Sequence, residues 1–365
     1  MTREANAQPT IRRAELRDAA GLVALFADAA MLPFTTVPPF TGVAWWEKRL
    51  REYADAQSLP LIAVDGDAAI GVLLLRGWSN HIRRKHCAVL DLLAVRMDRR
   101  RRGVGRALVD AAISSADQWL QLRRIEVAVD TESAALIDFY ASFGFVHEGV
   151  KRKDIAYLGR YVDSAVLARN NVAAMPAAAS PPLPTRKRPR KSTALKIAIR
   201  PATEEDAEAF AKVFADRSAS NGTLQHPYTS AEVWRTRLAG NVGTRQVMFA
   251  AVVAGRVVGN AGLHGVSDNP RQKHVASLGI AITEAYQGRG VGRALMNACL
   301  DFADNWANYA RVELTVHADN APAIKLYESL GFEREGRLLD FSFREGGYID
   351  ALFMARLTSA LKMAV

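Results

Sequence analysis

Two stretches of glycine and arginine hold the clearest chemistry in this 365-residue sequence. One reads Gln287-Gly288-Arg289-Gly290-Val291-Gly292-Arg293, the other Arg100-Arg101-Arg102-Gly103-Val104-Gly105-Arg106. Each follows a short apolar run that reads as a strand, and each opens a segment whose apolar residues recur at helical spacing. A strand feeding a glycine turn at a helix start suits an anion. The first helical N–H groups have no internal partner, the helix dipole favours negative charge, and glycine admits close backbone approach. Arginine side chains there add charge-assisted contacts. The expected ligand therefore bears phosphate. Two familiar phosphate loops do not fit: neither copy ends in Gly-Lys-Ser/Thr, and Gly290-Val291-Gly292-Arg293-Ala294-Leu295 lacks the dinucleotide spacing.

The elements that must position these loops come as a duplicate. At an offset of 188, Arg12 meets Arg200, Trp46 meets Trp234, Gly71 meets Gly259 and His86 meets His274. The offset then becomes 187: Gly103 meets Gly290, Tyr140 meets Tyr327 and Gly144-Phe145 meets Gly331-Phe332. The chain is read as one domain written twice, residues 1–169 and 196–365, joined by a Pro/Ala-rich basic linker over 170–195. The lost residue falls in the strand before the phosphate loop, which is the signature of a β-bulge. Each copy is expected to run strand, helix, Pro/Thr-rich loop, helix, hairpin, strand, phosphate loop, long helix, strand, short helix with the tyrosine, and a last hairpin.

A net charge of +10 invites a nucleic-acid reading. Half of the excess lies in Arg99 to Arg102 and Arg106, and a second group, Arg186 to Lys191, falls in the linker. No nucleic-acid module, interleaved aromatics or zinc spacing accompanies it, so no nucleic-acid partner and no metal are expected. The linker cluster reads as solvated. Cys87 and Cys299 occupy non-equivalent positions outside any CxxC, which fits free thiols in a reducing, cytoplasmic setting. The N-terminal residues lack an apolar signal core, and no run of apolar residues is long enough to span a membrane.

Gln287-x-x-Gly290-x-Gly292, preceded by a strand and followed by Asn320-x-x-Ala323-x-x-x-Tyr327-x-x-x-Gly331-Phe332, resembles the GCN5-related N-acetyltransferase (GNAT) family. The first copy matches through Arg100-x-x-Gly103-x-Gly105 and Tyr140-x-x-x-Gly144-Phe145. The resemblance covers nearly all of both halves. It implies an α/β (α+β) fold of two tandem domains, each a mixed, mostly antiparallel sheet flanked by helices with a splayed strand pair for acetyl-CoA. Around Thr223-Leu224-Gln225, His274-Val275-Ala276, Glu313-Leu314-Thr315-Val316, Asp319 to Lys325 and Tyr348-Ile349-Asp350-Ala351, the second copy looks closer to bacterial L-amino-acid N-acetyltransferases acting on phenylalanine and methionine.

The resemblance implies acetyl-CoA as donor and a primary amine of a small molecule or amino acid as acceptor. The pyrophosphate would lie on the N–H groups of Arg289 to Arg293 and of Arg102 to Arg106, with Gln287, Gly288, Arg100 and Arg101 completing the loops. The pantetheine arm would pair with backbone at Ile280 and Ile282, and at Leu93 and Val95. Asn320 and Ala323 would add contacts, and Ser133 replaces the asparagine in the first copy. Tyr327 and Tyr140 match the family tyrosine that gives the departing thiolate a proton. The base is left open among His274, His86, Glu313 and Glu126. Three alternatives stand beside this reading: a catalytic second domain with a first domain that only binds CoA or a partner, acetylation of a protein N-terminus, and a basic nucleic-acid binder. Domain pairing within the chain and a homodimer are both left open.

Overall fold

The computed structural model describes residues 9–28, 31, 35–78, 81–157, 159–171, 195–239, 241, 245–267 and 269–358. The basic cluster Arg186 to Lys191 lies outside the described residues, as do Pro33 and Phe34 of the first copy's Pro/Thr-rich loop. Two compact units emerge: Met1–Asn80, Arg84–His147 and Val166–Pro176 form one, His81–Arg83, Glu148–Ala165 and Ala177–Val365 the other.

In chain order the first repeat contains β1 (Thr10–Arg13), α1 (Ala19–Phe26), α2 (Val43–Arg51), β2 (Leu59–Asp65), β3 (Ala68–Gly77), β4 (Cys87–Val95), α3 (Val104–Gln118), β5 (Arg124–Asp130), α4 (Ala134–Ala141), β6 (Val146–Tyr157) and β7 (Arg160–Asn170). The second contains β8 (Ile197–Pro201), α5 (Ala207–Ala215), α6 (Arg217–Asn221), α7 (Ala231–Ala239), β9 (Gln246–Val253), β10 (Arg256–Gly265), β11 (Val275–Ile282), α8 (Val291–Asn305), β12 (Arg311–His317), α9 (Ala321–Glu328), β13 (Glu333–Arg344) and β14 (Gly347–Leu357). The expected order holds in both copies. The helix α6 is an addition, nucleated where the Asp216 carboxylate caps the N–H groups of Ser218 and Ala219.

In the first unit β1 to β4 are antiparallel and β5 joins β4 in parallel. In the second, β8 to β11 are antiparallel, β12 joins β11 in parallel, and β14 and β13 follow antiparallel. A mostly antiparallel sheet with one parallel pair is the mixed architecture expected. Alternation along the strands gives each sheet two apolar faces. In the second unit Val258, Ala261, Leu263 and Leu278 pack against Val291, Leu295 and Cys299 of α8. The opposite face sets Ala250 and Ala281 against Phe210 and Phe214 of α5 and Trp234 and Leu238 of α7. The first unit repeats the second arrangement with Leu22, Phe26, Trp46 and Leu50 over Ile62, Val72 and Leu74.

The offset change has a structural cause. On β4, Leu92 pairs with Leu74 and Leu90 with Leu75, so Asp91 is extruded as a bulge. The β10–β11 ladder runs regularly from Gly259↔Ile282 to Gly265↔Ala276 and has no such residue.

Candidate functional site

The phosphate loop of the second unit is built by two left-handed glycines. Gly288 has φ +71° and Gly290 has φ +91°, and Gly290 stands at the N-cap of α8. This backbone turns the chain from β11 into the helix while leaving the first-turn N–H groups outward, an anion-binding concavity. In the first unit Gly103, φ +85°, caps α3, but the counterpart of Gly288 is Arg101, left-handed at φ +60°. A side chain there costs about 1 kcal/mol against glycine.

Gly292 proves to be a packing glycine. A methyl at Gly292 would meet Leu326 at 3.0 Å and Ile282 at 3.2 Å, so it is protein, not ligand, that approaches closely here. The first copy is looser: a methyl at Gly105 would meet Val95 at 3.6 Å and Phe139 at 3.8 Å, ordinary contact. The contact at Gly292 seats α9 against the start of α8, and Arg293 strengthens it by donating to Ser329 Oγ at 2.8 Å. Arg106 donates to Ser142 Oγ at 3.0 Å in the same way. The loop and the tyrosine helix are thereby brought together in each unit.

Gln287 and Arg100 do equivalent work. Gln287 Nε2 donates to the Ile282 carbonyl at 2.6 Å, and Arg100 Nε donates to the Val95 carbonyl at 3.2 Å. Each pins the end of its strand to the loop, so the Arg100 guanidinium is turned at least partly inward; burial lowers its pKa. Arg99 pairs with Asp65 at 2.8 Å, while Arg101 and Arg102 are exposed.

The parallel strand pairs part where the sequence places the donor arm. β11 pairs with β12 only from Val275 to Ser277, and β4 with β5 only from Cys87 to Val89. Thr283 N–H donates to Val258 on β10 and Arg96 N–H to Ile70 on β3. Backbone direction alternates along a strand, so the N–H groups of Ile282 and Ile280, and of Val95 and Leu93, turn into the open gap, while the Ile282 and Val95 carbonyls are taken by Gln287 and Arg100. Their side chains do something else: Ile280 and Ile282 pack with the α8 core.

Tyr327 and Tyr140 are buried, 6% and 3% exposed, and burial raises both phenol pKa values. Asn320 caps α9 by accepting from Ala323 N–H at 3.3 Å, which leaves its amide nitrogen facing Gly222. Ser133 occupies the same N-cap on α4 without a side-chain cap.

The base candidates separate clearly. Glu126 sits between Arg84 at 2.6 Å and Arg124 at 2.8 Å; burial pushes its pKa up, but the two guanidiniums overcome it and bring it down to about 2. Glu313, held within the second unit by Lys151 at 3.1 Å and Arg311 at 3.0 Å, also falls to about 2. Both carboxylates are ion-pair members with little affinity for a proton. His274 contacts the Lys153 carbonyl at 2.8 Å just before β11, at the closed end of the strand pair. Burial lowers its pKa. Sequence reasoning missed His317, whose Nε2 lies 2.9 Å from Ser342 Oγ and whose Nδ1 lies 3.1 Å from the Asn221 carbonyl. Burial, with Arg344 and Arg83 nearby, lowers it to about 4. A buried histidine at a strand end carries no spacing signal that marks it out.

The sequence profile of the Acetyltransferase (GNAT) family matches residues 22–145 and again 210–332. L-amino acid N-acetyltransferase AaaT of Escherichia coli is 41% identical over 162 residues, covering 44% of this chain and 98% of that protein. N-alpha-acetyltransferase RimI of Mycobacterium tuberculosis is 40% identical over 82 residues, 22% of this chain and 49% of that one. A GCN5-related N-acetyltransferase from Kribbella flavida matches 44% of this chain and 98% of its own at 30% identity and TM-score 0.40. With the profile matched twice, over most of both repeats, the chain belongs to the GNAT acetyltransferase family and is a tandem N-acetyltransferase.

Proposed function

We propose that the chain transfers the acetyl group of acetyl-CoA to the primary amine of a small molecule or amino acid by direct attack. The observation that carries this is the pairing, in both repeats, of a glycine-opened helix N-terminus with a splayed parallel strand pair. The pyrophosphate takes the first-turn N–H groups at Gly290 to Arg293 and Gly103 to Arg106, and the pantetheine arm takes the backbone at Ile280 and Ile282, or Leu93 and Val95. The relative named an L-amino acid N-acetyltransferase supports an amino-acid acceptor. The two repeats, 1–169 and 196–365, are the proposed functional domains, with 170–195 as linker. Two buried free thiols, Cys87 and Cys299, fit a cytoplasmic setting.

In the step itself, a neutral amine nitrogen attacks the thioester carbonyl carbon. A C–N bond forms, the C–S bond breaks, and its electron pair leaves with sulfur. The Tyr327 hydroxyl gives that thiolate a proton; no other described residue takes up the phenol oxygen in a hydrogen bond. The amine's surplus proton goes to water, because Glu313 and Glu126 stay ionised in their ion pairs. Oxyanion charge falls on N–H groups at the open strand edge.

Following thiol release with acetyl-CoA and a panel of amines tests the reading. Tyr327→Phe should lower kcat by about a hundredfold with little change in KM for acetyl-CoA. Undiminished kcat would remove the tyrosine from the mechanism. A split reading, in which the first repeat binds CoA without transfer, is favoured by Arg101 and Ser133 standing where the second repeat has Gly288 and Asn320.

A further inference from the structure

Helix α6 of the second unit has five residues, too few to persist alone, so its place is set by what holds its two ends. At the start, one oxygen of Asp216 accepts from Ser218 N–H at 2.9 Å and Ala219 N–H at 3.1 Å, and the other accepts from Glu284 N–H at 3.0 Å. Ser218 Oγ accepts from Gln287 Nε2 at 3.2 Å. Glu284 and Gln287 belong to the segment that leaves β11 for the phosphate loop. At the end, the Asn221 carbonyl lies 3.1 Å from Nδ1 of His317, the last residue of β12. A carbonyl only accepts, so that nitrogen carries the proton, and Nε2 accepts from the Ser342 hydroxyl at 2.9 Å. A methyl built on Gly222 would meet the Asn320 amide nitrogen at 3.6 Å.

The two strands part beyond Ser277 and Glu313, so α6 is tied to both lips of the splayed gap. Its face is defined as well. Ala219 packs in the cluster with Phe210, Phe214, Trp234 and Ala281, on the side of the sheet away from α8. The glycine-opened start of α8 offers its N–H groups on one side of the gap, and α6 spans the gap on the other. A chain threaded between the strands from the α8 side would rest against α6.

The last carbonyls of a helix have no partner within it, and a cation beside them is favoured. Arg83 is that cation. One guanidinium nitrogen donates to the Ser220 carbonyl at 2.7 Å and to the Thr223 carbonyl, and the other to Asn221 Oδ1 at 3.4 Å. All its hydrogen bonds among the described residues go to this one turn, none to a carboxylate. Residues His81–Arg83 precede β4 of the first repeat in sequence, yet they belong to the second unit. Burial and the nearby Arg344 lower the Arg83 pKa to about 10, so the group stays charged at neutral pH. We propose that α6 is the floor of the second donor gap, and that Arg83 is the positioning residue that keeps this floor closed beneath the pantetheine arm. This rests on the acetyl-transfer reading above. The donor site of the second repeat is thereby completed by a residue of the first. A loosened floor admits water to the thioester carbonyl from the side away from α8. A C–O bond then forms, the C–S bond breaks, and acetate, the CoA thiol and one proton are released.

The full chain is compared as wild type, Arg83→Met, Arg83→Lys and Ser218→Ala. Amide hydrogen exchange over residues 218–225 reads α6 itself. Calorimetric titration gives the number and affinity of acetyl-CoA sites, and thiol release without any amine reads hydrolysis. Arg83→Met should speed exchange at these amides, weaken one acetyl-CoA site about tenfold, leave any other site unchanged, and raise amine-independent thiol release. Arg83→Lys keeps a cation at the carbonyls and should recover most of the affinity. Ser218→Ala frees the opposite end of α6 from Gln287 and should shift affinity in the same direction by less. Wild-type exchange in Arg83→Met overturns the clamp. Faster exchange with wild-type affinity, or with no added hydrolysis, overturns the floor. Equal losses in the lysine and methionine variants overturn the capping role of the charge. Should Arg83→Met fail to fold, wild-type affinity in Ser218→Ala overturns the floor. A chain that binds no acetyl-CoA overturns the acetyl-transfer reading instead, and exchange still decides the clamp.

Discussion

Residues of one type serve different ends according to backbone and neighbours. The run Arg99 to Arg102 looks uniform in sequence, yet Arg99 pairs with Asp65, Arg100 pins Val95, and Arg101 strains the loop. Only the glycine pattern was legible in advance, because glycine alone accommodates φ near +90° without cost. That Gly292 serves packing was not legible, since its neighbour Leu326 comes from another helix. Arg101→Gly should stabilise the first unit by about 1 kcal/mol, read as a higher urea midpoint with unchanged slope. A lower midpoint would show that the arginine side chain earns more than its backbone strain. Glu126 carries a pH signature. Its folded pKa of about 2 lies below the ordinary carboxylate value, so its contribution is fully present above about pH 4.3 and is lost as pH falls toward 2. Glu126→Gln should destabilise at pH 7 by about 3 kcal/mol, because it removes the carboxylate that Arg84 and Arg124 share, and should flatten that part of the acid-stability curve. An acid limb of wild-type steepness would point to other carboxylates.

At the level of elements, order and type followed from periodicity, and the one-residue offset change located the bulge of β4 within its strand. The parting of β4 from β5 and of β11 from β12 was read from family resemblance alone. Both β4 and β11 are largely apolar, and nothing in their composition marks where a ladder stops. Removing Asp91 should leave the first unit folded, because the bulge residue lies outside the ladder and its loss restores regular pairing. Circular dichroism and a single cooperative unfolding transition check this. The cost should be confined to Arg49, Arg76 and Tyr53, which lose their shared carboxylate. Collapse of the unit would mean that the Asp91 cluster, more than the hydrophobic face, holds α2 on the sheet.

For the molecule as a whole, duplication was the most readable fact and the asymmetry of the copies the least. Both repeats keep the donor-side parts: loop, gap and tyrosine. They diverge on the opposite face, at Leu74, Leu92 and Asp91 against Gly262 and Gly279. No pattern in a single repeat signals this, because leucine and glycine both occur in buried strands and only superposition of the copies makes the difference meaningful. Deleting a residue from a strand ordinarily slips the register and turns every later side chain to the wrong face. At the β4 bulge it does not. In-frame loss or gain of a single codon there changes the charge beside the sheet while every flanking residue keeps its partner. The bulge is thus a place where one copy of a duplicated gene can drift away from the other in a single genetic event without first passing through an unfolded ancestor.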